Sequence, residues 1–216
     1  MACAATTMSG DQVIAQLVLA SASPRRRELL QRLGVQFVAV SADIDETPLP
    51  AESPQDYVRR IALEKAAVVA ANYAAPDYAV LAADTTVVVD DDLLGKPQDH
   101  FHALAMLARL SGRTHTVMTA VCLADADGSH IELVTTEVEF ASLSREACEA
   151  YLATDEPWDK AGAYAIQGLA GAFVRSINGS YSNVVGLPLC ETRLLLAEHG
   201  IATALDPQLP GEEGKR

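Results

Sequence analysis

Positive charge is scarce in this sequence. Lysine and arginine number 16 against 29 aspartates and glutamates, which gives a formal net charge of −13. A general nucleic-acid binder needs a basic face to displace counterions from phosphate, so we expect no nucleic-acid partner. An acidic protein that binds a small polyanion must gather its few cations in one place, often beside a divalent metal.

Long apolar runs and export signals are also lacking. No stretch reaches the roughly 18 uninterrupted apolar residues that a membrane-spanning helix requires. Residues 1–16 have no basic segment ahead of an apolar one, as a secretory signal would. We therefore expect a cytoplasmic protein without a membrane partner.

Cysteines and aromatic residues are few. The four cysteines form no CxxC pair and have no spacing typical of a zinc site. The five histidines show no metal-binding spacing either, which leaves a histidine-centred hydrolase unsupported. Aromatic residues make up 5% of a chain that is 50% hydrophobic, so the interior must consist mainly of Ala, Val, Leu and Ile.

Strand-like and helix-like segments alternate along the chain, which predicts an α/β protein with a mixed sheet flanked by helices. The turn sequence at 125–128 joins two β-rich segments and predicts a hairpin. The sequence of segment 154–172 is too irregular for a single helix or strand. The segment is also longer than a simple connecting loop, so we expect it to be functional. Strands are predicted at 17–20, 37–40, 78–83 (with 86–89 continuing it or pairing beside it), 114–123, 131–140 and 173–177, and helices at 24–33, 53–72, 99–110, 144–153 and 189–200.

The length suits one substantial domain. We expect a single catalytic domain over 16–203, an N-terminal extension over 1–15 and a disordered C-terminal tail over 204–216.

The first helix is predicted to begin with three arginines, Arg25 to Arg27, behind Ser23 as N-cap and Pro24. The helix macrodipole is already positive at this end, so each arginine lowers helix stability by about 0.3–1 kcal/mol relative to a neutral residue. Free backbone N–H groups, Ser21 and guanidinium groups would together suit a phosphate. The alternative is that the arginines extend into solvent.

Lys65 lies in the middle of an apolar stripe on the second predicted helix. An inward lysine needs a carboxylate or a phosphate, unless its stem runs along the stripe to water. The chain has only four lysines, and Lys96 and Lys160 are two others that we expect to contact phosphate as compact point charges. The stripe consists of Tyr57, Val58, Ile61, Val68 and Val69.

Asp84 follows the apolar run 78–83 and is predicted to lie at the carboxyl end of a buried strand, where α/β sheets place ligands. It could hold a metal or accept a proton from water, and the alternative is a turn aspartate that caps Thr86. Glu46 is a candidate second carboxylate, or else a solvated loop acid. Residues 90–92 are predicted to form a solvated turn.

Short motifs run in order through residues 17–201, nearly the whole chain. These motifs resemble those of the Maf family, and the presence of seven of them in the family's order makes the resemblance specific. They are LASASPRR at 19–26, EKA at 64–66, ADT at 83–85, GKP at 95–97, SGRTH at 111–115, DKAGAY at 159–164 with IQG at 166–168, and GLP at 186–188.

The resemblance implies a two-lobed fold akin to inosine triphosphate pyrophosphatases, with a long twisted mixed sheet, a nucleotide cleft between the lobes and a homodimer. It implies catalysis by Asp84 as proton acceptor with Glu46, Lys65 and Lys96, and Mg²⁺ or Mn²⁺ held by Glu46 and Asp84. Contacts to the triphosphate substrate are expected from Ser21, Ser23, Arg25, Arg26, Thr85, Lys160 and Gln167.

Three positions bear on the substrate. Family members that cut dTTP and UTP to the monophosphate and pyrophosphate carry Arg, Thr and Gln at the positions of Arg25, Thr85 and Gln167. A sister group that acts on 7-methylguanosine triphosphate tends to have an aromatic residue, Gln and Glu there. Segments 44–48 and 52–54 resemble the sister group as much as the dTTP and UTP group, so one alternative is a 7-methylguanosine triphosphate pyrophosphatase. Another alternative is a non-catalytic regulator of septum formation, although intact acids and lysines favour catalysis.

Overall fold

The structure, a computed structural model, describes residues 16–73 and 77–206. Its strands are β1 (Gln16–Ala20), β2 (Phe37–Val40), β3 (Tyr78–Val89), β4 (Asp92–Leu94), β5 (Thr114–Asp125), β6 (Gly128–Phe140) and β7 (Val174–Asn178). Its α-helices are α1 (Pro24–Arg32), α2 (Pro54–Ala70), α3 (His100–Leu110), α4 (Arg145–Leu152), α5 (Tyr181–Val185) and α6 (Leu189–Glu198).

The strands form one seven-stranded sheet in the order β2-β1-β3-β5-β6-β7, with β4 paired to β3. β1 runs parallel to both of its neighbours, β2 and β3, and the remaining pairs are antiparallel. This confirms the predicted mixed sheet flanked by helices. β5 and β6 form the predicted hairpin, because Asp125 pairs with Gly128 across a tight turn.

Two hydrophobic cores share one face of the sheet. Side chains alternate along a strand, so the odd-numbered residues of β3 lie on one face. Ala79 and Leu81 belong to a first core with residues of α1 and α6, whereas Val87 and Val89 belong to a second core with residues of α3 and α4. α2 covers the opposite face, where it packs on a third cluster that includes Val80. The long strands therefore link two lobes, as expected.

Asp84 does not end a strand, and this corrects the prediction. β3 continues through Val89, because the β-branched residues after Asp84 extend the pairing with β5 as far as the Val88–Thr116 pair. Asp84 is thus an interior strand residue and no cap for a turn. The short elements β4 and α5 and two 3₁₀ turns, at 161–163 and 169–173, are also absent from the sequence prediction.

The predicted extension at 1–15 lies outside the described residues, as do residues 207–216 of the predicted tail. Residues 204–206 lie against the domain. The Ala204 N–H donates to the Leu33 carbonyl at 2.8 Å, and Asp206 forms a 2.9 Å ion pair with Arg193. Within the described ranges, none of the helices has the length and apolar character needed to cross a membrane.

Candidate active site

A cleft of about 440 Å³ opens where β1 ends and β3 continues beyond it. All the candidate residues named from the sequence line this cleft, although they come from widely separated parts of the chain. They are Ser21, Ser23, Arg25, Arg26, Glu46, Lys65, Asp84, Thr85, Lys96, Lys160 and Gln167.

Lys65 lies on the inner side of α2, between two carboxylates. Its Nζ is 2.8 Å from Oδ1 of Asp84 and 2.7 Å from Oε1 of Glu46. Lys65 is 8% exposed and Asp84 6%, so the alternative in which Lys65 reaches water along the stripe is wrong. The loop that carries Glu46 is fixed to the same helix, because the Tyr57 hydroxyl donates to the Glu46 carbonyl at 3.0 Å.

The cations around Glu46 keep it ionised. Burial raises the pKa of Glu46, but the hydrogen bond from Lys65 and the charges of Lys65, Lys96 and Arg26 outweigh that effect and leave it below its usual range. Burial, reinforced by the charges of Asp84 and Glu46, raises the pKa of Tyr57 to about 12. Tyr57 therefore stays a neutral donor.

Arg26 connects three parts of the cleft wall. Its Nε donates to the Gly186 carbonyl at 2.8 Å, and its Nη2 donates to Oγ1 of Thr85 at 3.0 Å. The Thr119 hydroxyl donates to the Asn183 carbonyl at 3.0 Å, so the 2.9 Å bond between Thr85 and Thr119 must use the proton of Thr85. Thr85 thus has no proton left to offer a ligand, and its position fixes the guanidinium of Arg26.

The start of α1 lies at the cleft, but two backbone N–H groups of this turn are already bonded to serine side chains, so fewer than predicted are free for a phosphate. Ser23 caps the helix by accepting a hydrogen bond from the Arg26 N–H, and the Ser21 hydroxyl accepts one from the Ser23 N–H at 3.1 Å. Arg25 and Lys96 line the same cleft, and neither has an ion-pair partner among the described residues. Lys160 also lines it and pairs with its neighbour Asp159.

The loop that presents Gln167 is held by Glu156. Oε2 of Glu156 accepts the Leu169 N–H at 2.9 Å, and Oε1 accepts the Ala170 N–H at 3.4 Å. Oε1 also accepts the Tyr151 hydroxyl at 3.1 Å. Sequence reasoning missed Glu156, Thr119 and Asn183. The only signal for Glu156 was its place in segment 154–172, which composition marked as functional.

Residues 16–199 match the model of a protein family described as "Maf-like protein". The chain belongs to the Maf family. Relatives named dTTP/UTP pyrophosphatase include one from Methylobacillus flagellatus, 52% identical over 89% of this chain and 96% of its own length. Another, from Hahella chejuensis, is 54% identical over 86% of this chain and 93% of its own. A third, from Shewanella denitrificans, is 56% identical over 83% of this chain and 94% of its own.

Among solved structures, that of the Staphylococcus aureus Ham1 protein aligns with 58% of this chain and 72% of its own, at 14% identity and a TM-score of 0.38. The Maf family match begins with β1 and ends after α6, so it includes every residue of the cleft wall.

Proposed function

We propose that this Maf-family protein is a nucleoside triphosphate pyrophosphatase that hydrolyses dTTP and UTP to the monophosphate and pyrophosphate. The observation that carries the proposal is the Glu46–Lys65–Asp84 cluster, which lies in a cleft also lined by cations with no ion-pair partner in the described structure. More than half of the aligned positions are identical in relatives that bear this activity as their name, which supports the choice of substrate.

The two carboxylates fit a divalent cation, and Mg²⁺ or Mn²⁺ is proposed. Both contact the same ammonium nitrogen, at 2.7 and 2.8 Å, so they face the same part of the cleft, where a shift of the Glu46 side chain would let them share one ion. Carboxylate oxygens are the ligands that hard cations prefer. The Glu46 side chain is 40% exposed and therefore reachable from the cleft. When bound, such a cation would neutralise phosphate charge.

In the proposed reaction, Asp84 accepts a proton from the water that attacks the α-phosphorus. A bond forms between the water oxygen and that phosphorus, the bond to the oxygen bridging to the β-phosphate breaks, and pyrophosphate leaves with the electron pair. Lys65, Lys96 and the turn from Ser21 to Arg26 stabilise the charge that grows on the leaving group. Lys65 also holds Asp84 in place.

The base is proposed to contact the side of the cleft formed by Gln167 and Arg25. Gln167 carries both a donor and an acceptor, which suits a pyrimidine edge. An incorrect base would leave such polar groups without hydrogen-bond partners, and this cost lets the site discriminate strongly between bases. Thr85 contributes through Arg26, because its own proton is already committed to Thr119.

The decisive experiment is a substrate panel of dTTP, UTP, other nucleoside triphosphates and 7-methylguanosine triphosphate, each with and without Mg²⁺ or Mn²⁺. In water enriched in a heavy oxygen isotope, the label should enter the monophosphate and leave the pyrophosphate unlabelled. Release of orthophosphate, or label in pyrophosphate, would contradict attack at the α-phosphorus. Preference for 7-methylguanosine triphosphate would favour the sister activity, and no turnover of any nucleotide would favour a regulator.

Asp84→Asn tests the proposed base. The substitution keeps the shape of the side chain, and Lys65 keeps Glu46 as a partner, so we expect a folded protein of lower stability with turnover lowered by about 10²–10⁴-fold. Near-normal turnover would remove Asp84 from this role. The expected homodimer can be checked separately by sedimentation of the same protein.

A further inference from the structure

Three side chains of metal-ligating type meet at the carboxyl end of β5, away from the cleft. Asp125 ends that strand, His130 lies on β6, and His199 follows α6. None of them lines the cleft. Ala120 is the residue of β5 that pairs with Asp84, so Asp125 lies about 17 Å farther along the strand, at about 3.3 Å per residue.

Strand register puts these three side chains on one face of the sheet. Leu123 faces the core that includes Leu196 of α6, and Asp125, two residues farther, points the same way. His130 pairs directly with Leu123 and shares that face. α6 covers the face and ends at His199. The sequence gives no hint of this meeting, because the residues are far apart in the chain.

The three side chains lie close enough to share a metal ion, although His199 and Asp125 are joined by a hydrogen bond that the ion would replace. Nδ1 of His199 is 2.6 Å from Oδ2 of Asp125, and Nε2 of His130 is 3.7 Å from Oδ1 of the same carboxylate. The candidate ligand atoms all lie within 4.8 Å of one another. A tetrahedral zinc ion holds its nitrogen and oxygen ligands about 3.3–3.6 Å apart, at metal distances of about 2.0–2.2 Å. Small rotations of the side chains would therefore suffice.

His130 provides a second, independent observation. Its Nε2 is shielded from water and has no hydrogen-bond partner in the described part of the chain. Its ring lies against that of His199, with centroids 4.0 Å apart, so the unpartnered nitrogen is held beside the two other ligands. A shielded polar nitrogen without a hydrogen-bond partner is unfavourable, and a bound metal ion would remove this cost.

We infer that Asp125, His130 and His199 form a second metal site, for a first-row divalent transition metal such as Zn²⁺. Imidazole ligands favour such ions, whereas the carboxylates of the cleft suit Mg²⁺ or Mn²⁺. The bound ion would fasten the end of α6 to the β5–β6 hairpin and leave its fourth position to water. Because it binds the folded chain, it should raise thermal stability.

Calorimetric titration with Zn²⁺, in a large excess of Mg²⁺ that occupies the cleft, tests the inference. We expect one zinc per chain in the unaltered protein. Even loss of an outer-sphere partner weakens metal sites by about 10- to 100-fold, so His130→Gln, His199→Gln and Asp125→Asn should each lose at least that much zinc affinity. His102→Gln is the matched control and should bind normally. His130→Gln should also keep its Mg²⁺-dependent turnover.

Equal zinc affinity in all four variants, or no zinc binding by the unaltered protein, would overturn the inference. A test without substitutions covers the case in which a variant fails to fold. In long-range proton–nitrogen spectra of the unaltered protein, zinc should shift the ring nitrogens of His130 and His199 and leave the other three of the five histidines unchanged. Shifts confined to those other histidines, or none at all, would contradict the site.

Discussion

Lys65 and Asp84 join α2 to the central strand of the sheet through a buried 2.8 Å ion pair. The same ammonium contacts Glu46, so one positive charge is shared between two acids that are both candidates for holding a metal. We therefore expect stability and activity to depend on the same three side chains. A cation that enters the cleft would strengthen a cluster that Lys65 has already assembled.

Lys65→Met should destabilise the fold as well as abolish turnover. Removing one partner of a buried ion pair leaves the other charge uncompensated, at a cost of about 3–5 kcal/mol in the free energy of unfolding. Urea unfolding measures this cost, and Mg²⁺ should recover part of it by replacing the lost positive charge. Arg59→Met, on the exposed side of the same helix, should change stability by less than about 0.5 kcal/mol. Equal stability of the two variants would contradict the pairing.

Local periodicity was enough to predict the direction of Lys65. Its place in an apolar helical stripe favoured an inward side chain, and an inward ammonium needs a carboxylate or a phosphate. The cap at Ser23 and the arginines after it likewise follow from neighbouring residues. The family resemblance then indicated Glu46, whose loop position alone carries little information.

Long-range contacts could not be predicted in this way. Arg26 meets Gly186 because α5 and the turn after it lie beside α1, which depends on the packing of the whole first lobe. The continuation of β3 past Asp84 depends on pairing with β5, a strand far along the chain. Spacing in a sequence specifies which face a residue lies on, but not which distant residue it meets.

Thr85→Val tests whether Thr85 acts through Arg26. Valine keeps the shape but removes the acceptor of the 3.0 Å bond from Arg26, so the guanidinium should lose its fixed position. We expect kcat/KM for dTTP to fall by about tenfold, the equivalent of about 1.4 kcal/mol. Thr85→Ser retains the hydroxyl and should restore most of the loss. Thr135→Val, on an exposed position of β6, is the control. If Thr85→Val and Thr135→Val behave alike, Thr85 does not position Arg26.

Gly168→Ala tests the hold of Glu156 on the loop of Gln167. A Cβ at Gly168 would lie 2.3 Å from the Glu156 carboxylate, so the carboxylate must move and give up its bonds to the loop N–H groups. We expect a raised KM for dTTP and a lower free energy of unfolding. Gly95→Ala, whose Cβ would meet no atom within 4 Å, should change stability little.

The double variant Gly168→Ala, Glu156→Ala tests why Gly168→Ala lowers the free energy of unfolding. Without the carboxylate the added methyl group meets no obstacle, so the two substitutions should be non-additive, with a coupling energy of about 0.5–3 kcal/mol. Strict additivity in urea unfolding would mean that Gly168 matters for some reason other than its contact with Glu156.

His115 should make the fold sensitive to mild acid. Its ring is buried against Phe140 and Tyr164, and its Nε2 shares a 2.8 Å hydrogen bond with the Tyr164 hydroxyl. Burial lowers the pKa of His115 to about 4, from an ordinary value of 6.5. Between these values the unfolded chain binds the extra proton, so stability falls as pH drops from 6.5 toward 4. At about 1.4 kcal/mol per pH unit, the loss is roughly 3 kcal/mol.

The comparison that isolates His115 is the slope of unfolding free energy against pH in unaltered protein, His115→Gln and His102→Gln. Glutamine has no proton to gain in this window, so His115→Gln should show a shallower slope whatever its stability at neutral pH. His102 is partly exposed on α3, and its loss should leave the slope close to that of the unaltered protein. Parallel curves for all three proteins would mean that His115 gains its proton in the folded state as readily as in the unfolded one.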